Sequence, residues 1–160
     1  MSVVAMMRKI RAEAVIALLQ RVNWAHIHID GQQTAKIGRG LLVLLGIERE
    51  DDPAKADRLL QKLLNYRVFP DAEGRMNCSL RDIQGDLLLV SQFTLAATTD
   101  KGTRPGFSTA MAPEPAEALY DYMVAQAAKE PLTLATGSFG ADMKVSLEND
   151  GPVTFSLRVS

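Results

Sequence analysis

The run Asp86-Leu-Leu-Leu-Val-Ser-Gln-Phe-Thr-Leu95 constrains this chain more than any other segment. Successive side chains of a strand point to opposite faces, so the four apolar residues from Leu87 to Val90 imply a strand buried above and below. Polarity then returns at Ser91, Gln92 and Thr94. Leaving such groups buried and unpaired costs about 1–3 kcal/mol each, so they mark either a hydrogen-bonded strand end or a site. Strand parity puts Gln92 and Thr94 on one face and Ser91 and Phe93 on the other. A pocket at this strand end would use side chains from one set and backbone N–H groups from both.

The rest of the pattern supplies a sheet for that strand. Val15 to Val22 and Ala25 to Ile29 read as two strands, the second with Ala25, Ile27 and Ile29 inward and Trp24, His26 and His28 on the other face. Asp30-Gly31 makes a hairpin turn, Gln33 to Ile37 returns antiparallel, and Leu41 to Ile47 follows, giving four strands at the start. Asp51 or Asp52 caps a helix from Pro53 whose Ala56, Leu59, Leu60, Leu63 and Leu64 share one face. A turn-rich stretch spans Phe69 to Leu80, and Ala96 to Ser108 is a polar loop. A second amphipathic helix runs from about Pro115 to Lys129, with Ala118, Leu119, Tyr122, Met123 and Gln126 on one face. Leu132 to Thr136, Met143 to Leu147 and Val153 to Val159 close the chain as strands, the last two joined by an Asn149-Asp150-Gly151 turn. Strands outnumber helices and the hairpins are short. The expectation is an α+β domain: a mainly antiparallel, strongly curved sheet or barrel with two covering helices.

Composition narrows the function. The 160 residues carry 18 Lys and Arg against 19 Asp and Glu, a net charge of −1, which argues against a general nucleic-acid binder. The charge is uneven: residues 1–47 sum to +4, 48–110 to −1 and 111–160 to −4, so a local basic rim or ordinary solvated surface both fit. No apolar run approaches the ~20 residues of a membrane span and the N-terminus lacks the order of a secretory signal, so the expected location is cytoplasmic. The single Cys78 rules out an internal disulfide framework. Phosphate-binding glycine loops, paired Cys-x-x-Cys motifs and a His-Glu-x-x-His helix are absent from the sequence.

His26 and His28 share a strand face, but no Cys or third His completes a metal shell, and a solvated strand face is the plainer reading. Cys78 has no evident base beside it. Asn149-Asp150-Gly151-Pro152-Val153-Thr154 has the composition of a tight turn. In the cis form, found in about 5–6% of X-Pro bonds, a Gly-Pro pair would aim two successive carbonyl oxygens in nearly parallel directions.

SQFTL at residues 91–95 and NDGPVT at 149–154, in that order, resemble the D-aminoacyl-tRNA deacylase family. The likeness extends through AVIALLQRV (14–22), GLLVLLGIE (40–48), DAEGRMN (71–77), TRPGFS (103–108), EALYDY (117–122) and TGSFGADMKVSLENDGPVTF (136–155). It divides the chain into an N-terminal extension, residues 1–13, and a deacylase domain, residues 14–160. The extension reads as a basic arm, an added segment or a start assigned too far upstream, the last being preferred if Val15 occupies the usual initiator position of the family.

The resemblance implies a barrel-like homodimer that hydrolyses the ester joining a D-amino acid, or glycine, to the 3′-terminal adenosine of tRNA, with neither metal nor organic cofactor. It further implies that Gly151 and Pro152 form a cis peptide inserted into the partner's pocket, where carbonyl oxygens meet the substrate amine and exclude an L side chain. Arg21 would brace that turn. Backbone N–H groups of Phe93 and Thr94 would hold the oxyanion, Ser91 and Gln92 would line the pocket, Phe139 and Met143 would wall the adenosine, and Lys101 and Arg104 would contact acceptor-stem phosphates. No partner base is evident for the Thr94 hydroxyl, so the family reading has the substrate's own 2′-OH help activate water. Trp24, His26 and His28 depart from the small or hydroxylated residues usual in the family. The competing expectation is a non-catalytic dimeric binder of nucleic acid or a small ligand with the same fold.

Overall fold

The structure, a computed structural model, describes residues 15–160. The N-terminal extension expected over residues 1–13 lies outside the described residues. β1 (Val15–Ile29) is one continuous strand, so three strands open the fold where four were expected. Neither Gly nor Pro separates Val22 from Ala25, and β8 (Lys144–Val159) pairs with β1 from Val15 to His28, leaving no place for a reversal. Register irregularities between Gln20 and Trp24 instead let β1 change cores. Val15, Ala17 and Leu19 join one cluster, and Val22, Ala25 and Ile27 join another.

One edge of β1 pairs antiparallel with β3 (Gly40–Gly46) through its first half and with β2 (Gln32–Ile37) through its second. The other edge belongs to β8. From β3 the sheet continues in parallel to β6 (Asp86–Ser91) and β7 (Leu134–Thr136). Parallel neighbours need crossover connections, and α1 (Pro53–Asn65) and α3 (Pro113–Ala127) lie in those connections. β2 approaches β6 and β7, bringing the α+β sheet toward a closed barrel. A small hairpin of β4 (Phe69–Pro70) and β5 (Met76–Cys78) occupies the turn-rich stretch, and a one-turn α2 (Leu80–Ile83) begins at its end.

The apolar run of β6 divides as its parity requires: Leu87 and Leu89 enter the cluster that includes α1 and α3, while Leu88 and Val90 enter the cluster with Ala25 and Ile27. Where β3 meets β6 the backbones nearly touch, and a Cβ on Gly40 would stand 1.8 Å from the Asp86 carbonyl oxygen. Only glycine fits there.

Asp52 caps α1, accepting the Lys55 N–H at 2.8 Å, with Pro53 at the first helical position. The expected apolar face, Ala56, Leu59, Leu60, Leu63 and Leu64, is buried. α3 starts two residues earlier than expected and buries Ala116, Leu119, Tyr120, Met123 and Ala127, whereas Ala118 is exposed. No helix among the described residues is long and apolar enough to cross a membrane.

Candidate functional site

β6 stops at Ser91, four residues short of the expected end, because its partner β3 leaves the ladder at the Leu45–Ser91 pair. The Gln92 N–H still reaches the Leu45 carbonyl at 2.8 Å. Phe93–Ala96 then wind into a single 3-10 turn. The internal bonds of that turn begin at Leu95, whose N–H donates to the Gln92 carbonyl at 3.1 Å, so the Phe93 and Thr94 N–H groups are not used by the turn. The alternation expected for Phe93 and Thr94 is lost with the strand. Both are exposed, and the Gln92 amide hydrogen-bonds the Thr94 hydroxyl.

A cleft of about 640 Å³ opens beside this turn, lined by Ser91, Gln92 and Phe93 and, across from them, Phe139 and Met143. Phe107 completes the wall together with residues 110–113. Its ring lies 5.2 Å from that of Phe93, which is 62% exposed. Sequence reasoning misses Phe107; the available signal is a lone aromatic side chain in an otherwise polar loop. Thr109 fixes this wall to the turn by donating its hydroxyl to the Ala96 carbonyl at 2.9 Å. The wall also hangs from the end of β3, where Met111 N–H donates to Ile47 and Arg49 N–H donates to Thr109. Behind that junction Asp51 accepts the Glu48 N–H at 2.6 Å, and burial pushes its carboxyl up to about 6.

A second group of expected residues gathers elsewhere. Gln20 pairs with Thr154 and Val22 with Asn149, so Arg21 alone faces residues 150–153, which leave the ladder. The expected hairpin turn is therefore a bulge within β8: both flanking segments run the same way along β1, and neither folds back on the other. Gly151 sits at φ +134 and is joined to Pro152 by a cis peptide bond, and both residues are exposed. Arg21 donates from Nε to the Asp150 carbonyl at 3.0 Å and from a terminal nitrogen to the Val68 carbonyl at 2.8 Å.

The structure thus brings Ser91, Gln92, Phe93, Phe139 and Met143 to one cleft, with Thr94 next along the turn, while Arg21, Gly151 and Pro152 form a separate cluster. Lys101 and Arg104 are exposed in a loop whose base is closed by reciprocal Thr98 and Gly106 backbone bonds of 2.7 and 3.0 Å. The His26 ring stacks on Trp24 at 5.0 Å and meets His28 edge-on at 5.0 Å. No group of three or more metal-ligating side chains occurs among the described residues.

A sequence model of the family described as D-Tyr-tRNA(Tyr) deacylase matches residues 18–158. A D-aminoacyl-tRNA deacylase of Actinobacillus pleuropneumoniae serotype 5b (strain L20) is 57% identical over 145 residues, 91% of this chain and 100% of the relative. One of Glaesserella parasuis serovar 5 (strain SH0165) is 59% identical over the same span, with the same coverage. Among solved structures, one titled c-Myc DNA unwinding element binding protein superposes with a TM-score of 0.84 at 42% identity, covering 89% of this chain and 97% of that one. A probable eukaryotic D-amino acid tRNA deacylase superposes with a TM-score of 0.77 at 19% identity, covering 91% of this chain and all of its own, a likeness of fold.

Proposed function

The chain belongs to the D-aminoacyl-tRNA deacylase family and is a deacylase, and on that premise we propose that it proofreads chirality with a site shared between two subunits. The reaction cleaves the ester between the amino acid and the 3′-terminal adenosine: water adds to the carbonyl carbon, the ester C–O bond breaks, and free D-amino acid and tRNA leave. The observation that carries the catalytic reading is the turn after β6, which presents two successive N–H groups that its own hydrogen bonds do not use. Donors fixed where charge develops on the carbonyl oxygen are commonly worth about 2.7–4 kcal/mol each. Phe93 and Thr94 take that role through the backbone. Ser91 and Gln92 line the pocket, Phe139 and Met143 flank the adenosine, and the substrate's 2′-OH assists the attacking water. Lys101 and Arg104 meet acceptor-stem phosphates.

Gly151 and Pro152 select the stereochemistry. Both are exposed and neither is among the residues lining the cleft of its own chain, which supports their acting in the cleft of a second copy. Main-chain atoms around the α-carbon leave no room for an L side chain and read no side chain, so many D-amino acids are accepted. Glycine has no Cβ to clash and passes the same filter. The enzyme acts in the cytoplasm, where its aminoacyl-tRNA substrates are used.

Mixing two inactive variants tests the shared site. One carries Pro152→Ala and the other Phe93→Pro, which removes an N–H donor. Deacylation of D-alanyl-tRNA reappears after subunit exchange if each site draws on both chains, and stays absent if each chain works alone.

The solved relative titled as a DNA unwinding element binding protein favours a second reading, in which the deacylase also binds DNA. Saturable binding of DNA by a preparation active toward D-aminoacyl-tRNA would support it, and absence of binding would remove it.

A further inference from the structure

We infer that Asn149 is a positioning residue for stereochemical selection, an inference that rests on the proposed role of Gly151 and Pro152. The bulge in β8 sets four residues, 150–153, against Arg21 alone, so the ladder that would have satisfied the carbonyls at its mouth is missing. The Asn149 side chain replaces it. Its Nδ2 donates to the Arg21 carbonyl at 3.1 Å and to the Val153 carbonyl at 3.0 Å, one bond across to β1 and one across the neck of the bulge. Two carbonyl acceptors demand the nitrogen rather than the oxygen of the amide, and both of its hydrogens are spent.

Arg21 Nε holds the Asp150 carbonyl from the same side. The neck is thereby pinned at residues 149, 150 and 153, and only Gly151 and Pro152 project free of it. A filter that works by excluding one substituent at a tetrahedral carbon depends on where those two residues stand to within a fraction of an ångström. Asn149 touches neither substrate nor reacting atoms; it acts through the shape of the bulge.

Asn149→Asp keeps the volume and exchanges the donors for carboxylate oxygens facing two carbonyl oxygens, while Asn149→Ala removes the group. Each is compared with wild type as the full chain, measuring kcat and KM for D-alanyl-tRNA, hydrolysis of L-alanyl-tRNA and the thermal midpoint. The expected result is cooperative melting together with a fall in the D-to-L rate ratio of about 10–100-fold, the scale of an ångström's misplacement, carried by kcat rather than KM. A folded variant that keeps the wild-type ratio overturns the inference. If both fail to fold, Asn149→Ser, which retains one donor, is read by the same criterion. Pro152→Ala run in parallel separates the two claims. Wild-type hydrolysis of D-alanyl-tRNA there removes the filter itself, whereas its loss there with wild-type values in the Asn149 variants removes only the role of Asn149.

Discussion

Arg21 Nε donates to the Asp150 carbonyl at 3.0 Å and lies 3.2 Å from the Asp150 carboxylate, immediately before the Gly-Pro pair. The same guanidinium reaches the Val68 carbonyl at 2.8 Å, so one side chain joins the bulge of β8 to the segment after α1. A planar fork can serve two carbonyls held in different directions; a lysine ammonium on a flexible stem does not reproduce that geometry.

Arg21→Lys is therefore expected to lower D-aminoacyl-tRNA hydrolysis by about 10–100-fold while circular dichroism stays native. Wild-type rates in a folded Arg21→Lys protein would mean the fork is not needed to place the bulge.

Gly151→Ala tests the bulge from the other direction. A Cβ there would meet Val153 Cγ2 at 2.7 Å and an Arg21 terminal nitrogen at 3.2 Å, on a backbone at φ +134 that L side chains rarely adopt. The expected cost is about 1–3 kcal/mol of strain together with loss of most D-aminoacyl-tRNA hydrolysis. Unchanged rates would reduce the Gly-Pro pair to a structural turn.

Thr94→Ala leaves the backbone N–H in place. If only that donor is used, the rate falls by less than about tenfold, against the roughly 10²–10³ typical of a lost oxyanion donor. Complete loss of activity at unchanged folding would assign the hydroxyl a direct role.

Asp51 makes stability depend on pH. Burial raises its carboxyl from the ordinary 3.8 to about 6, so the native state favours the protonated form. That contribution is fully present below about 4 and is lost as pH rises through about 6. The amide oxygen introduced by Asp51→Asn would accept the Glu48 N–H without a charge. Urea melts should show Asp51→Asn gaining stability relative to wild type between about pH 4 and pH 8, by about 3 kcal/mol for a shift of this size. A pH-independent difference between the two proteins would contradict the assignment.

Much of this fold is written in local patterns. The Leu87–Val90 run gives a strand buried on both faces, the spacing of Leu59, Leu60, Leu63 and Leu64 gives α1, and Asp30-Gly31 gives the first hairpin. What failed depended on partners distant in sequence. β6 ends at Ser91 because β3 ends, and Asn149 to Thr154 form a bulge and no hairpin because β1 pairs on both sides of them. The composition of a bulge and of a turn is the same; only the partner strand distinguishes them. The site shows the same division. Ser91, Gln92, Phe139 and Met143, expected from the family resemblance, line one cleft, whereas Phe107 enters that cleft through a long loop whose path is set by Thr109, Ile47 and Arg49.

The most direct test compares D-alanyl-, L-alanyl- and glycyl-tRNA in one preparation, with Gly151→Ala as the control against contaminating deacylase. Chiral proofreading by a main-chain filter predicts rapid loss of the D ester, loss of the glycyl ester as well, a spared L ester and a greatly slowed variant. Equal rates on the D and L esters, or inertness toward all three, would contradict it.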